Sequence, residues 1–472
     1  MGEHENLDVH GSSAIVLPAG YGKTEYIANY ADEQNRPILI LTHTNAGVFA
    51  LKKRLAGREH TRRCRVTTIA AWCESWVISY PSVTKYKSFS DEKEMRSNAY
   101  FKKLYEAMLI LCGEPWFRKA LRASYHTVIV DEYQDCTMTQ HALFLGIAEF
   151  LQLLVLGDPL QGIFYWIKDD SLVDWSNLSI PIQDVESKPW RWINSGCAAL
   201  GDYIGSIRKD LMPTLGGQRV QIALDRGCSN VQIVTPELIG RNQCWNGLGE
   251  VAYITCIQNV QYSFSQRHPG FQSNEAVDNK EAFSVCSDLD NKKGADLALA
   301  ALDFAALCFT GVSQGLKPYR SNLEKGKFDF SRIRKHPDVK RSLIALGSDS
   351  AIENVASVLA SIKDDSDFRL HRGILYHEVR RALKLAIAED ISASEALENI
   401  RAQRSAFEEH NPCQRLSTRT VLSKGLEFDT AIVDAGSITD PRDFYVAISR
   451  CKKRLIIVSN SSTLTFPGIT PK

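Results

Sequence analysis

Two acidic residues at the end of a short β-branched run are the first sign of chemistry in this sequence. Val128-Ile129-Val130 reads as a buried strand, and Asp131-Glu132-Tyr133-Gln134-Asp135 follows it directly. Open α/β sheets place ligands at the carboxyl ends of their strands. A carboxylate pair there suits phosphoryl transfer: Asp131 would hold Mg²⁺, and Glu132 would polarise a water for attack on a γ-phosphate. The competing reading is a strand that simply runs into an acidic turn. Upstream, Ala14-Ile15-Val16-Leu17 leads into Pro18-Ala19-Gly20-Tyr21-Gly22-Lys23-Thr24, then a helical pattern from Glu25 to Asp32. Strand, glycine-rich turn and helix are the setting of a P-loop. Gly20 and Gly22 would let backbone N–H groups close around phosphate oxygens. Lys23 would reach the β/γ-phosphates, and the Thr24 hydroxyl would ligate Mg²⁺. The strict pattern asks for glycine where Leu17 stands.

The rest of the chain must supply elements to position these groups. Its 472 residues predict two to four domains, and 44% apolar with 24% charged residues is ordinary globular composition. A net charge of +1 gives no global pull toward nucleic acid, so DNA binding would need local basic patches. The twelve cysteines form no Cys-x-x-Cys pair, which supports neither a zinc site nor an iron–sulfur cluster. With an acidic, polar start and no signal-peptide pattern, reduced thiols in a cytoplasmic protein are expected. The longest apolar stretch, Leu297 to Phe309, is broken by Asp303 and too short to span a bilayer, so no membrane association is expected.

Later stretches extend the pattern. Gly157-Asp158-Pro159-Leu160-Gln161-Gly162-Ile163-Phe164-Tyr165-Trp166, Lys188-Pro189-Trp190-Arg191-Trp192, Ser423-Lys424-Gly425-Leu426-Glu427-Phe428 and Tyr445-Val446-Ala447-Ile448-Ser449-Arg450 follow in order. Together with the P-loop and the acidic pentapeptide, they resemble the motifs of superfamily 1 helicases of the UvrD/Rep type. The resemblance implies an α/β fold of two RecA-like P-loop lobes, parallel sheets flanked by helices, each lobe with a helical insertion. It implies lobe 1A over 1–70 and 125–187, insertion 1B over 71–124, lobe 2A over 188–311 and 413–472, and a reduced insertion 2B over 312–412. ATP and Mg²⁺ would bind between the lobes, with Gln161 as γ-phosphate sensor and Trp190 stacking on the base. Arg191 would contact the γ-phosphate, Gly425 and Glu427 would serve the nucleotide, and Arg450 would act as arginine finger. Thr42-His43-Thr44-Asn45-Ala46 resembles the motif whose residues touch single-stranded DNA, which nominates Thr44 and Asn45. Trp166 would stack on a base, the alternative being that Phe164, Tyr165 and Trp166 are core.

The sequence also departs from that pattern. The family's adenine-reading Gln precedes the P-loop, whereas the first Gln here is Gln34, so other nucleoside triphosphates could serve. An aromatic is usual at His43, an aromatic and a His at Ile69 and Ala70, and a Thr and a His at Arg419 and Val421; Arg419 remains a DNA-binding candidate. Trp72, Trp76, Tyr80 and Trp116 read as the core of insertion 1B rather than as a stacking surface. The basic residues of 312–412, Arg334, Lys335, Lys340 and Arg341 among them, read equally as a DNA- or protein-contacting arm and as a solvated face.

The expected function is an ATP-dependent DNA translocase or helicase of 3′ to 5′ polarity, acting on single-stranded DNA or DNA ends. Compact length and a reduced second insertion also resemble the UvrD-like subunits of Gabija-type anti-phage systems, which implies an OLD-family nuclease-ATPase partner. The alternative is a regulatory ATPase subunit that senses DNA ends or nucleotides for a partner nuclease and unwinds little.

Overall fold

The structure is a computed structural model, and it describes residues 11–85, 98–165, 167, 170–242, 245, 248–275, 280–404 and 414–469. The chain divides into two compact units, Met1–Asn246 with Ser423–Lys472, and Gly247–Leu422. The strands in order are β1 (Ser13–Val16), β2 (Ile38–Thr42), β3 (Cys64–Thr68), β4 (Thr127–Val130), β5 (Gln152–Gly157), β6 (Ile182–Gln183), β7 (Val220–Ala223) and β8 (Val231–Val234). They continue with β9 (Val251–Thr255), β10 (Gln272–Ser273), β11 (Phe309–Thr310), β12 (Arg369–Leu370), β13 (Arg415–Arg419), β14 (Phe428–Asp434), β15 (Cys451–Val458) and β16 (Thr463–Phe466).

Two six-stranded sheets result, in the orders β3-β2-β4-β5-β1-β6 and β10-β13-β9-β14-β15-β8. Every pairing of the first sheet is parallel, as are β10–β13, β13–β9, β14–β15 and β15–β8 of the second. With helices flanking them, this is the α/β architecture of two RecA-like lobes expected from the sequence. Two antiparallel pairs, β16 with β7 and β11 with β12, stand apart.

The first unit holds the first sheet together with β8, β14 and β15. The central strands β1, β2, β4 and β5 are mostly apolar because both faces are buried, as parallel sheets require. Side chains alternate between the faces. Leu39, Leu41, Val128 and Val130 pack with Leu143, Phe144, Ile147 and Trp72. Ile38, Ile40 and Ile129 pack with Ile27, Ala28, Leu51 and Leu55 on the other side. Strand β4 lies between β2 and β5, so Asp131 and Glu132 leave the middle of the sheet. In the helices Ile69–Val77, Asn98–Gly113 and Pro115–Ser124, Trp72 is fully buried and Trp76 meets Phe117 edge-on at 5.1 Å. Trp72 is core, Trp76 and Tyr80 pack partly buried against it, and Trp116 keeps 40% exposure.

The second unit holds β9, β10 and β13 and a helical bundle. Helices Gly294–Cys308, Pro337–Ser348, Ile352–Asp364 and Gly373–Glu389 close around Leu297, Phe304, Leu343, Leu359, Val379 and Leu383. Part of the basic surface of 312–412 is neutralised locally: Arg320 pairs with Asp303 at 2.6 Å, and Arg341 with Asp338 at 3.1 Å.

His371 lies fully buried in this unit, its Nδ1 without a hydrogen-bond partner. Burial, then the charges of Arg372 and Arg369, lower its pKa to about 4. A histidine held below its unfolded value near 6.5 contributes stability above that value, and the contribution is lost as pH falls toward 4. Unfolding free energies from denaturant titrations at pH 7 and pH 5 should therefore differ by about 2 kcal/mol more in the parent chain than in His371→Gln. Equal pH slopes in the two would remove this role.

Candidate active site

The turn after β1 is built around two left-handed glycines. Gly20 and Gly22 have φ of +75° and +86°. A Cβ on Gly20 would lie 2.9 Å from the Trp192 ring, and one on Gly22 would lie 3.2 Å from Trp190 Cδ1. Glycine is thus required twice, by conformation and by space. Leu17 does not share that requirement. It is not among the left-handed residues, and its N–H donates to Gly157 O at 3.0 Å like a strand residue. Helix Lys23–Gln34 starts at Lys23 with no side-chain cap, which leaves its first N–H groups for an anion. Lys23 is buried. Its Nζ donates to Leu17 O at 3.3 Å and stands 3.8 Å from Glu132 Oε1. Thr24 follows it, half-buried.

Beyond β4, Asp131 is buried, its N–H donating to Leu41 O at 2.9 Å. Glu132 adopts φ +54°, ψ +43°, a left-handed conformation that costs a non-glycine residue roughly 1–3 kcal/mol. Its neighbours hold it there. The Glu132 N–H donates to Asp131 Oδ1 at 2.9 Å, the Asp135 N–H donates to Glu132 O at 2.9 Å, and Gln134 Nε2 donates to the Glu132 carboxylate. Burial and the adjacent Glu132 charge push the Asp131 carboxyl up. Burial alone would raise Glu132 as well, but Lys23, Lys424, the Gln134 amide and Arg450 outweigh it and hold Glu132 low. Where two carboxylates adjoin, the one facing the cations keeps its charge.

Gln161 is buried beyond β5, its Nε2 donating to Asp158 Oδ2 at 3.1 Å. Asp158 is fully buried and paired with Arg208 at 2.8 Å; burial is outweighed there by Arg208, and its pKa is lowered. Arg450 is also buried. It donates through Nε to Val446 O at 3.0 Å, and through Nη2 to Ser449 Oγ at 2.9 Å and Gln161 Oε1 at 3.5 Å. Arg191 joins from the P-loop side. Its N–H donates to Gly20 O at 3.0 Å, its Nη2 to Glu427 Oε1 at 2.7 Å and its Nη1 to Ser449 O, while its buried Nε has no partner. Trp190 is 47% exposed beside Gly22. Lys424, next to left-handed Gly425, donates to both oxygens of Asp135 at 2.6 and 2.5 Å and to Gln161 O at 2.7 Å.

The first unit therefore gathers Gly20, Gly22, Lys23, Asp131, Glu132, Gln161, Trp190, Arg191, Glu427 and Arg450, although Lys23 and Arg450 are far apart in sequence. Of the DNA-binding candidates, Thr44 and Asn45 are exposed where helix Asn45–Leu55 begins, Thr44 Oγ1 accepting from Gly47 N at 3.0 Å. Arg419 ends β13 in the second unit, its Nε buried without a partner. Trp166 lies outside the described residues. Sequence reasoning missed Asp158, Arg208, Asp135 and Tyr445, whose hydroxyl accepts from the P-loop amide of Ala19 at 3.0 Å. The strand-end position of Asp158, directly after β5 as Asp131 follows β4, was a usable signal. Nothing in the sequence marks Arg208.

A UvrD/REP helicase N-terminal domain model matches residues 79–171, a stretch that includes Asp131, Glu132 and Gln161. Over those residues the chain is similar to UvrD/REP helicases. No curated protein matches the chain. A solved structure, that of the PRRSV helicase, aligns with 96% of this chain and 53% of its own, at 11% identity and a TM-score of 0.34. The chain thus spans about half the length of that helicase.

Proposed function

We propose that the chain is an ATP-driven DNA translocase or helicase of the UvrD type with 3′ to 5′ polarity, acting on single-stranded DNA or DNA ends in the cytoplasm. The observation that carries this reading is the convergence, in one unit, of a left-handed glycine turn, Lys23, an ionised Glu132 and two arginines. The residues suit a nucleoside triphosphate with Mg²⁺. The Gly20–Gly22 cradle and uncapped helix start offer N–H donors, the Arg191 Nε is an unused buried donor, and Asp131 is a buried carboxylate beside them. Thr24 and Asp131 would hold Mg²⁺, which would shield the phosphate charge when bound.

Within that site Lys23 binds the terminal phosphates and Trp190 stacks on the base. Glu132 accepts a proton from the attacking water. Gln161 senses the γ-phosphate, and Arg191, Arg450 and Glu427 close around the nucleotide. Thr44, Asn45, Trp166 and Arg419 contact the strand. A partner nuclease of the OLD family, as in Gabija-type defence, extends this reading on sequence resemblance alone. Steady-state ATP hydrolysis with and without single-stranded DNA tests the proposal, with Glu132→Gln as blank. Strong stimulation is the expected result. Hydrolysis indifferent to DNA would overturn the motor in favour of a regulatory ATPase subunit.

A further inference from the structure

Glu132 needs more than its own carboxylate to work. Its backbone sits in a conformation that a glutamate seldom adopts unaided, so whatever grips its main chain helps aim its side chain. One grip comes from the neighbouring strand. β2 and β4 are parallel and paired with Leu41 opposite Val130, and the Asp131 N–H continues the ladder onto Leu41 O. Carried past the strand ends, this register sets His43 beside Glu132.

The His43 ring faces the main chain of Glu132, and its Nε2 lies 3.5 Å from Cys136 Sγ. Burial, then Lys424, lower the His43 pKa to about 4, so the imidazole is neutral at pH 7. A neutral ring has one donor and one acceptor nitrogen. With Nε2 turned to the Cys136 thiol, Nδ1–H is left to donate to the Glu132 carbonyl. Cys136 is itself fully buried and keeps its proton, which fits it to donate to Nε2.

We propose that His43 is a positioning residue for the catalytic carboxylate, holding the main chain of Glu132 in its left-handed conformation through a donor that no aromatic hydrocarbon ring could supply. The inference rests on the hydrolytic reading of Glu132 given above. In this role His43 acts through Glu132 rather than on the nucleotide.

Three variants of the full chain test it, all compared by ATP affinity, kcat and KM, with thermal melting to confirm folding. His43→Phe keeps the ring and removes the donor, and kcat is expected to fall about 10- to 100-fold, as when a group that orients a catalytic residue is lost, with ATP affinity unchanged. His43→Asn, whose amide N–H lies close to the position of Nδ1, is expected to recover most of that loss. Combined with Glu132→Gln, His43→Phe should add little further loss, because the two act as one unit. Wild-type turnover in His43→Phe, or His43→Asn as slow as His43→Phe, would overturn the positioning role while the hydrolytic reading stands. A parent chain without ATP hydrolysis would instead remove the hydrolytic reading, and this inference with it.

Discussion

Glu132→Gln is expected to bind ATP with the affinity of the parent chain and to hydrolyse it about 10²–10⁴-fold more slowly. The change is nearly isosteric and removes only basicity. Glu132 is ionised in the structure because Lys23, Lys424, Gln134 and Arg450 together outweigh its burial. A glutamine keeps an oxygen for the Gln134 amide to donate to, so the turn after β4 survives. Lys23 loses a charge partner at 3.8 Å but keeps the Leu17 carbonyl at 3.3 Å, so the phosphate cradle is preserved. Equilibrium titration with ATP and single-turnover hydrolysis on the same preparation separate the two effects. Undiminished turnover would remove Glu132 as base, and lost binding would make it part of the phosphate cradle instead.

Arg450→Ala should cost more, about 10³–10⁵ in kcat, if the guanidinium stabilises charge on the transferring phosphoryl group. Burial, then Arg191, lower its pKa only to about 10, so it is a cation at every working pH. Its Nε and one Nη2 bond are spent on Val446 and Ser449, which fixes the fork. The 3.5 Å approach to Gln161 is long for a hydrogen bond and leaves room to swing toward a ligand. Arg450→Lys keeps the charge and loses the fork, and it should fall between the parent and Arg450→Ala. Stopped-flow hydrolysis at saturating ATP reads the effect. A parent-like rate in Arg450→Ala would return Arg450 to a brace at the end of helix Pro441–Ile448.

What the sequence makes legible divides along physical lines. The β-branched run before Asp131 and the glycine turn before Lys23 are local, and local patterns report local structure. Even the missing glycine at Leu17 has a local answer, since that residue is extended and glycine's freedom is not needed there. Arg191 and Glu427 are another matter. They meet at 2.7 Å from positions half the chain length apart, and only their likeness to motifs already known brought them together in advance. His43 shows the limit. Read as a departure from a pattern, it was a lost contact. Its partner is fixed by the pairing of β2 with β4, and no spacing along the chain encodes that register. Arg208 is the extreme case, a lone cation whose use depends on a buried Asp158 reached through the fold alone.

The chain leaves its first unit at Asn246 and returns at Ser423, and this detour orders events on the ribosome. Strand β8 is made early, yet it lies at a sheet edge and its neighbour among the described residues is β15, made only after the whole second unit. At usual elongation speeds, β8 waits on the order of tens of seconds with its edge open to whatever strand it meets. Lys424, Glu427 and Arg450 likewise arrive only after the second unit. A nascent chain therefore carries its glycine turn and Lys23 long before it carries Arg450, and the proposed site is complete only when the chain has returned to its first unit.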